Sequence, residues 1–178
     1  MLTIRKNMFE TNSSSVHAVC VAKQTPQITE KVVHFRLDYY GWEENKLCTE
    51  GEKASYLYSA IVGCHGYDKS NEEELNWYIH KIRSLLMEVG VESTFEKPKY
   101  DEDGYLDESN AGVDHGGMLS GWIDKMLKTD DPDILVRYLF SEDSVVITSN
   151  DNCDMKWYDD MVADATENGT VDVFEKGN

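Results

Sequence analysis

Residues 15–22, Ser-Val-His-Ala-Val-Cys-Val-Ala, constrain the fold more than any other stretch of this 178-residue chain. Val16, Ala18, Cys20 and Ala22 alternate with His17, Val19 and Val21. A strand formed here is apolar on both faces. It therefore belongs inside a sheet that is covered on two sides. The residues just before it have the opposite character: Glu10, Thr11, Asn12, Ser13 and Ser14 show no helix or strand period. A Ser/Asn-rich turn that caps backbone N–H groups accounts for such a segment. So does a functional site, because many donors and acceptors are gathered at the mouth of a buried strand.

The remaining pattern places further elements around that strand. Leu2–Arg5 is a short strand candidate, and Lys31–Asp38 alternates as a strand with Val33, Phe35 and Leu37 on one face. Tyr39-Tyr40-Gly41-Trp42 reads as an aromatic loop. Thr49-x-x-Glu52 is a capping box leading into a helix over Lys53–Cys64, with Gly63 or Gly66 as its stop. Ser70-x-x-Glu73 predicts a second box, before a helix carrying Leu75, Tyr78, Ile79, Ile82, Leu85, Leu86 and Val89 and ending at Gly90. Val91–Glu96 reads as a strand, and the acidic stretch at about 97–114 as a mobile surface loop. Met118–Leu127 has helical spacing, and Asp131-Pro132 is an N-cap with Pro at the first position of a helix through Leu139. Val145–Thr148 is a buried strand, Met155–Thr166 a helix, Asn168-Gly169 a turn and Val171–Phe174 a last strand. Strands and helices mix without strict alternation. The expectation is a single α+β domain over residues 1–178, a mixed β-sheet with helices packed on it.

Charge limits the partners. The chain holds 34 acidic and 17 basic residues, a formal net charge of −17. The first forty residues are close to neutral, with Arg5, Lys6, Lys23, Lys31 and Arg36 against Glu10, Glu30 and Asp38. The body beyond them is more acidic than solubility needs. It repels phosphate backbones and draws basic surfaces over nanometre distances. Cys20, Cys48, Cys64 and Cys153 form no C-x-x-C pair, and Cys64-His65 has no matching second pair, which argues against a structural zinc site. No signal peptide or membrane-length apolar run is present. A reducing, cytoplasmic setting without membrane contact is expected.

Three polar clusters are candidates for chemistry. The first is Glu10, Asn12, Ser14 and His17; the second is Asp114-His115; the third is Asn150-Asp151-Asn152. Each abuts a strand end or helix start, where sites assemble on mixed scaffolds. Taken alone, each also has a plain structural reading as a turn, an N-cap or a hydrogen-bonded strand histidine. Together they offer two imidazoles as general base and acid for phosphodiester cleavage, with Asp114 or Asp151 orienting an imidazole. Alternatively Glu10, Asp114 and Asp151 hold Mg²⁺, which would offset the repulsion of phosphate. His34, His65 and His80 are given no role. A reading without catalysis is open too. Glu72–Glu74, Asp101–Glu108 and Asp154–Asp164 can imitate the charge spacing of a nucleic acid.

The run Arg5-Lys6-Asn7-x-Phe9-Glu10-Thr11-Asn12-Ser13-Ser14-Ser15-x-His17, with Asp114-His115 and Asn150–Asn152, resembles a family of small proteins encoded by phages and mobile elements of bacteria. It is similar in size and acidity to type II-A anti-CRISPR inhibitors of Cas9, one kind of which shortens the guide RNA. That resemblance implies a bacterial host cytoplasm. It also implies a basic nucleic-acid-binding partner, Cas9 with its guide RNA, whose positive channel would attract the acidic body. Beside it stands a second reading, a stand-alone nuclease or phosphodiesterase built on the His/Asp/Asn clusters.

Overall fold

The computed structural model describes residues 15–41, 43–107, 111–114, 120–150 and 155–177. In chain order the strands and helices are β1 (Ser15–Ala22), β2 (Val32–Phe35), β3 (Tyr39–Tyr40), β4 (Asn45–Leu47), α1 (Glu50–His65), α2 (Glu72–Glu88), β5 (Glu92–Phe95), β6 (Gly112–Val113), α3 (Ser120–Leu127), α4 (Asp133–Phe140), β7 (Val145–Asn150), α5 (Met155–Thr166) and β8 (Val171–Gly177). The fold is α+β. A four-stranded sheet runs in the order β4-β7-β1-β8, and two two-stranded pairs, β2-β5 and β3-β6, stand beside it. Pairing in the large sheet is antiparallel throughout. The small pairs are parallel.

β1 lies between β7 and β8, and all eight of its residues are buried. Its two faces enter two different cores. Val16, Ala18 and Cys20 pack with Val145, Ile147, Tyr158, Val162 and Val171, and so with α5. Val19 and Val21 join the larger core, which holds the buried faces of α1, α3 and α4 and part of α2. The period of two in the sequence is thus the period of two cores. Between Val19 and Cys20 the register with β8 shifts by one, a β-bulge in an otherwise regular ladder.

α1 is buried continuously from Lys53 to Val62, which suits a helix enclosed by other elements. The expected capping box forms: Thr49 Oγ1 accepts from the Glu52 N–H, and Glu52 accepts from the Thr49 N–H. Lys53 is 1% exposed, and its Nζ donates to Ser141 O at 2.7 Å and Ser144 O at 3.1 Å. Ser141 is the C-cap of α4, so an ammonium satisfies carbonyls that the helix cannot pair itself. The Tyr138 hydroxyl returns a bond to Lys53 O at 2.8 Å.

Other elements depart from the expected local chemistry. Ser70 does not cap α2; Asp68 instead accepts from the Ser70 N–H and caps a short 3₁₀ turn over Lys69–Asn71. α4 begins one residue late, at Asp133, with Pro132 in the cap position and Asp131 Oδ1 accepting from the Asp133 N–H. The expected aromatic loop contains β3, because Tyr39-Tyr40 pairs with Gly112-Val113. The acidic stretch expected to be a mobile loop is tied down over part of its length. Asp101 Oδ1 accepts from the Asp103 and Tyr105 N–H groups, Leu106 N–H donates to Tyr67 O, and Leu106 is buried. Gly90 and Gly169 take positive φ, as their roles at a helix stop and a turn require. The strand expected at Leu2–Arg5 lies outside the described residues.

Lys53 makes the stability of the fold depend on pH. Burial draws its pKa down from 10.5 to about 8, against the attraction of Cys48, Glu50 and Glu52. Between those values the unfolded chain binds the proton and the folded chain releases it, so stability rises with pH through the window. Urea unfolding across pH 8–9 should show a steeper rise for wild type than for Lys53→Met. Equal slopes would remove Lys53 as the cause.

Candidate functional site

The larger-core face of β1 changes character along the strand. Val21 and Val19 are apolar, but the same face continues toward the N-terminus as His17 and Ser15. Across the ladder β7 does the same: Val146 is followed on that face by Thr148 and Asn150. The register places His17 opposite Thr148 and Ser15 opposite Asn150. All four are buried, with His17 at 3% exposure. Buried polar groups must find partners, and these find them on three other elements.

His17 Nδ1 lies 3.1 Å from the Tyr56 hydroxyl of α1, and Nε2 lies 3.0 Å from Ser15 Oγ. Ser15 Oγ donates to the backbone oxygen of Asp114 at 2.9 Å. Thr148 Oγ1 donates to Glu43 O at 2.9 Å. The result is a chain of hydrogen bonds from Tyr56 through His17 and Ser15 to Asp114. If Ser15 gives its one proton to Asp114 O, it accepts from Nε2, and Tyr56 then donates to Nδ1. The imidazole is neutral in that arrangement, with its proton on Nε2.

Aromatic rings wall the network. Tyr56 lies edge-on to Tyr40 at 5.2 Å and stacks on Trp122 at 6.4 Å, and Trp122 is 5.4 Å from Tyr138. Burial raises the pKa of Tyr40 and pushes that of Tyr138 well above its ordinary value, so both stay protonated. Asp114 follows β6 and is held by its N–H on Tyr40 O at 2.8 Å. Beside it Gly41 is obligatory: a Cβ there would stand 2.5 Å from the Asp114 Cβ. A small cavity of about 150 Å³ opens next to Asp114, lined by Tyr39, Gly63, Tyr67, Leu106 and Ala111 among others. Tyr39 and Tyr67 are exposed on its rim.

Of the candidate residues named from the sequence, His17, Asp114 and Asn150 are described and belong to one neighbourhood. Ser15 is the atom-level link between the first two and the cross-strand partner of the third. Glu10, Asn12, Ser14, His115 and Asp151 lie outside the described residues. Of the three carboxylates expected to hold Mg²⁺, only Asp114 is described, and among the described residues no three His, Cys, Asp or Glu side chains converge as a metal site. Cys20 is fully buried in the smaller core. Tyr56 and Thr148 were not legible as site residues. Each is far from His17 in sequence, and each meets it only through the packing of α1 on the sheet and the β1–β7 register.

Chemically, the described network can orient groups and hold a proton position. His17 is buried and bonded through both nitrogens, so it lies behind the surface. No protein-family model, curated protein or solved structure matches the chain. No helix of the described residues is long and apolar enough to cross a membrane.

Two substitutions test the network. Ser15→Ala leaves the Asp114 carbonyl and one ring nitrogen without this partner and should cost about 1–3 kcal/mol of unfolding free energy. Gly41→Ala should cost a similar amount, about 1–3 kcal/mol, by forcing Asp114 away from the β3–β6 pair. Denaturant midpoints for both variants within error of wild type would show that the network carries no stability.

Proposed function

We infer that this protein is a phage-type inhibitor of a basic, nucleic-acid-guided enzyme, Cas9 carrying its guide RNA, and that it acts by occupying a cationic surface. The observation that carries this reading is the display of acid on separate elements of one fold. Glu72, Glu73 and Glu74 are exposed at the start of α2, Glu102 and Asp103 at a turn, and Asp159, Asp160 and Asp164 along α5. Several cations of the chain are spent internally. Lys23, Lys46, Lys81, Lys128, Arg137 and Lys156 each stand within ion-pair distance of a carboxylate. Each such pair removes a carboxylate as well, Asp160 and Asp164 among them, but the net charge of −17 leaves an outward field that is negative and suits fast, salt-sensitive association with a basic groove. The resemblance of the N-terminal motif to phage-encoded proteins supports the choice of Cas9 among basic targets.

Occlusion fits the described geometry better than guide-RNA truncation, since His17 is buried rather than presented. One observation favours the second reading, a nuclease or phosphodiesterase. The strand ends bearing His17, Asp114 and Asn150 are drawn together, and the neighbouring candidates Ser14, His115 and Asp151 adjoin them in sequence.

Binding to guide-loaded Cas9 should weaken steeply with added salt. The double variant Glu102→Lys/Asp103→Lys should lose about tenfold in affinity, while Asp101 is left in place because it holds the turn. Inhibition unchanged by salt and by charge reversal would sink the electrostatic mechanism. Free RNA incubated with the protein and Mg²⁺, without Cas9, should stay intact; turnover there would establish the nuclease reading instead.

A further inference from the structure

A groove away from the His17 network gathers several cations in an acidic chain. It has a volume of about 580 Å³ and lies between α2 and the segment that follows β5. Lys69, His80, Arg83 and Lys97 line it, together with Tyr58, Leu75, Ile79, Phe95, Pro98 and Tyr100 as the apolar wall. Among the described residues Lys69, Arg83 and Lys97 have no carboxylate within ion-pair distance, and the groove brings these three cations together.

Arg83 is ordered by a ring instead. Its guanidinium carbon sits 5.5 Å from the Phe95 centroid. Phe95 is in turn stacked on Phe35 at 4.6 Å, nearly parallel, and meets Tyr58 edge-on at 5.3 Å. A guanidinium placed over an aromatic ring gains a cation–π contact while its N–H groups stay available to a ligand. Two carboxylates, Glu72 and Glu96, share the groove with Lys69, Arg83 and Lys97, so its charge is a local excess of cations. Glu96 turns its carboxylate to the Leu37 N–H at 3.1 Å. Glu72 lies near the Tyr100 hydroxyl, whose pKa is raised by burial first and then by Glu72 and Asp68. The exposed amide of Asn76 stands along the same wall.

We propose that this α2–β5 groove is a binding site for a nucleoside phosphate, free or at the end of a strand. The phosphate is taken by Arg83 and Lys97, with His80 beside them, and the flat base lies along the aromatic wall toward Tyr100, within hydrogen-bonding range of Asn76. A bare inorganic anion leaves the apolar wall wet. An apolar ligand leaves the cations unpaired. An acidic peptide must overcome the repulsion of the whole body with a less compact charge. A groove of this volume suits a ligand of nucleotide size. The site is independent of the proposed inhibitor function; of the acidic residues displayed for that function, Glu72 alone borders the groove among the described residues.

Titration calorimetry of the full chain at low salt, with AMP as the probe, tests the assignment. AMP should bind saturably, and adenosine and inorganic phosphate should each bind at least about tenfold more weakly. Arg83→Gln and Lys97→Gln should each weaken AMP by about tenfold with an unchanged urea midpoint. Lys31→Gln, an exposed lysine outside the groove, should change nothing. A 5′-phosphorylated tetranucleotide that binds more tightly than AMP places the ligand at a strand end; one that binds no better makes it a free nucleotide. No AMP binding, inorganic phosphate or an oligoglutamate peptide binding as well as AMP, or an Arg83→Gln variant that binds normally, each overturns the proposal. Loss of AMP binding would leave Cas9 inhibition as it is, so the two failures are distinguishable.

Discussion

The structure depends on burying β1 on both faces, and every buried donor and acceptor on that strand has to be answered from somewhere else. Backbone groups are answered by β7 and β8. The side chains of Ser15 and His17 bond to each other and find their remaining partners outside the sheet. They reach up to Tyr56 on α1 and across to Asp114 behind β6. One strand thereby fixes the position of the central helix and of a short parallel pair. The cost of leaving such groups unpaired exceeds the net value of a typical hydrogen bond. The polar end of β1 therefore specifies the arrangement more than it stabilises it.

The other end of the strand is handled in a similar way. Ala22 N–H donates to Ser144 Oγ, Ala22 O accepts from Arg137 Nη1 at 2.7 Å, and Ser144 Oγ donates to Arg137 O. Lys53 then closes the same corner from α1. Both ends of β1 are thus anchored to the helical layer, with an apolar middle between them. Such an arrangement disfavours a one-residue slip, which would move His17 into the small core against Tyr158 and Val162.

Charge and function separate in this fold. The acidic groups are carried on outer helix faces and turns, where they add little to stability and much to the field. The polar network is buried. The groove that holds Lys69, Arg83 and Lys97 sits on a different set of side chains again. The fold thus carries acid on several outer elements and, apart from them, a groove in which cations gather.

Much of the fold was legible in the sequence because local rules decided it. The two-faced apolar run made β1 an interior strand, Thr49 and Glu52 started α1, Gly90 stopped α2, and the spacing of Leu75, Tyr78 and Ile82 set the buried face of α2. Local rules failed where two solutions were available nearby. Asp68 accepts from the Ser70 N–H and starts a 3₁₀ turn there, so Ser70 does not cap α2, whose N-cap is Asn71. Tyr39-Tyr40 became a strand only because Gly112-Val113 lay alongside. The sequence by itself determined the polarity of each cluster and the net charge, since composition and period are properties of the chain. Only the tertiary structure decided that Ser15 would join His17 to Asp114, that Tyr56 would meet the imidazole, and that Arg83 would lie on Phe95. Contacts between residues tens of positions apart depend on register and helix packing, and no local pattern encodes those.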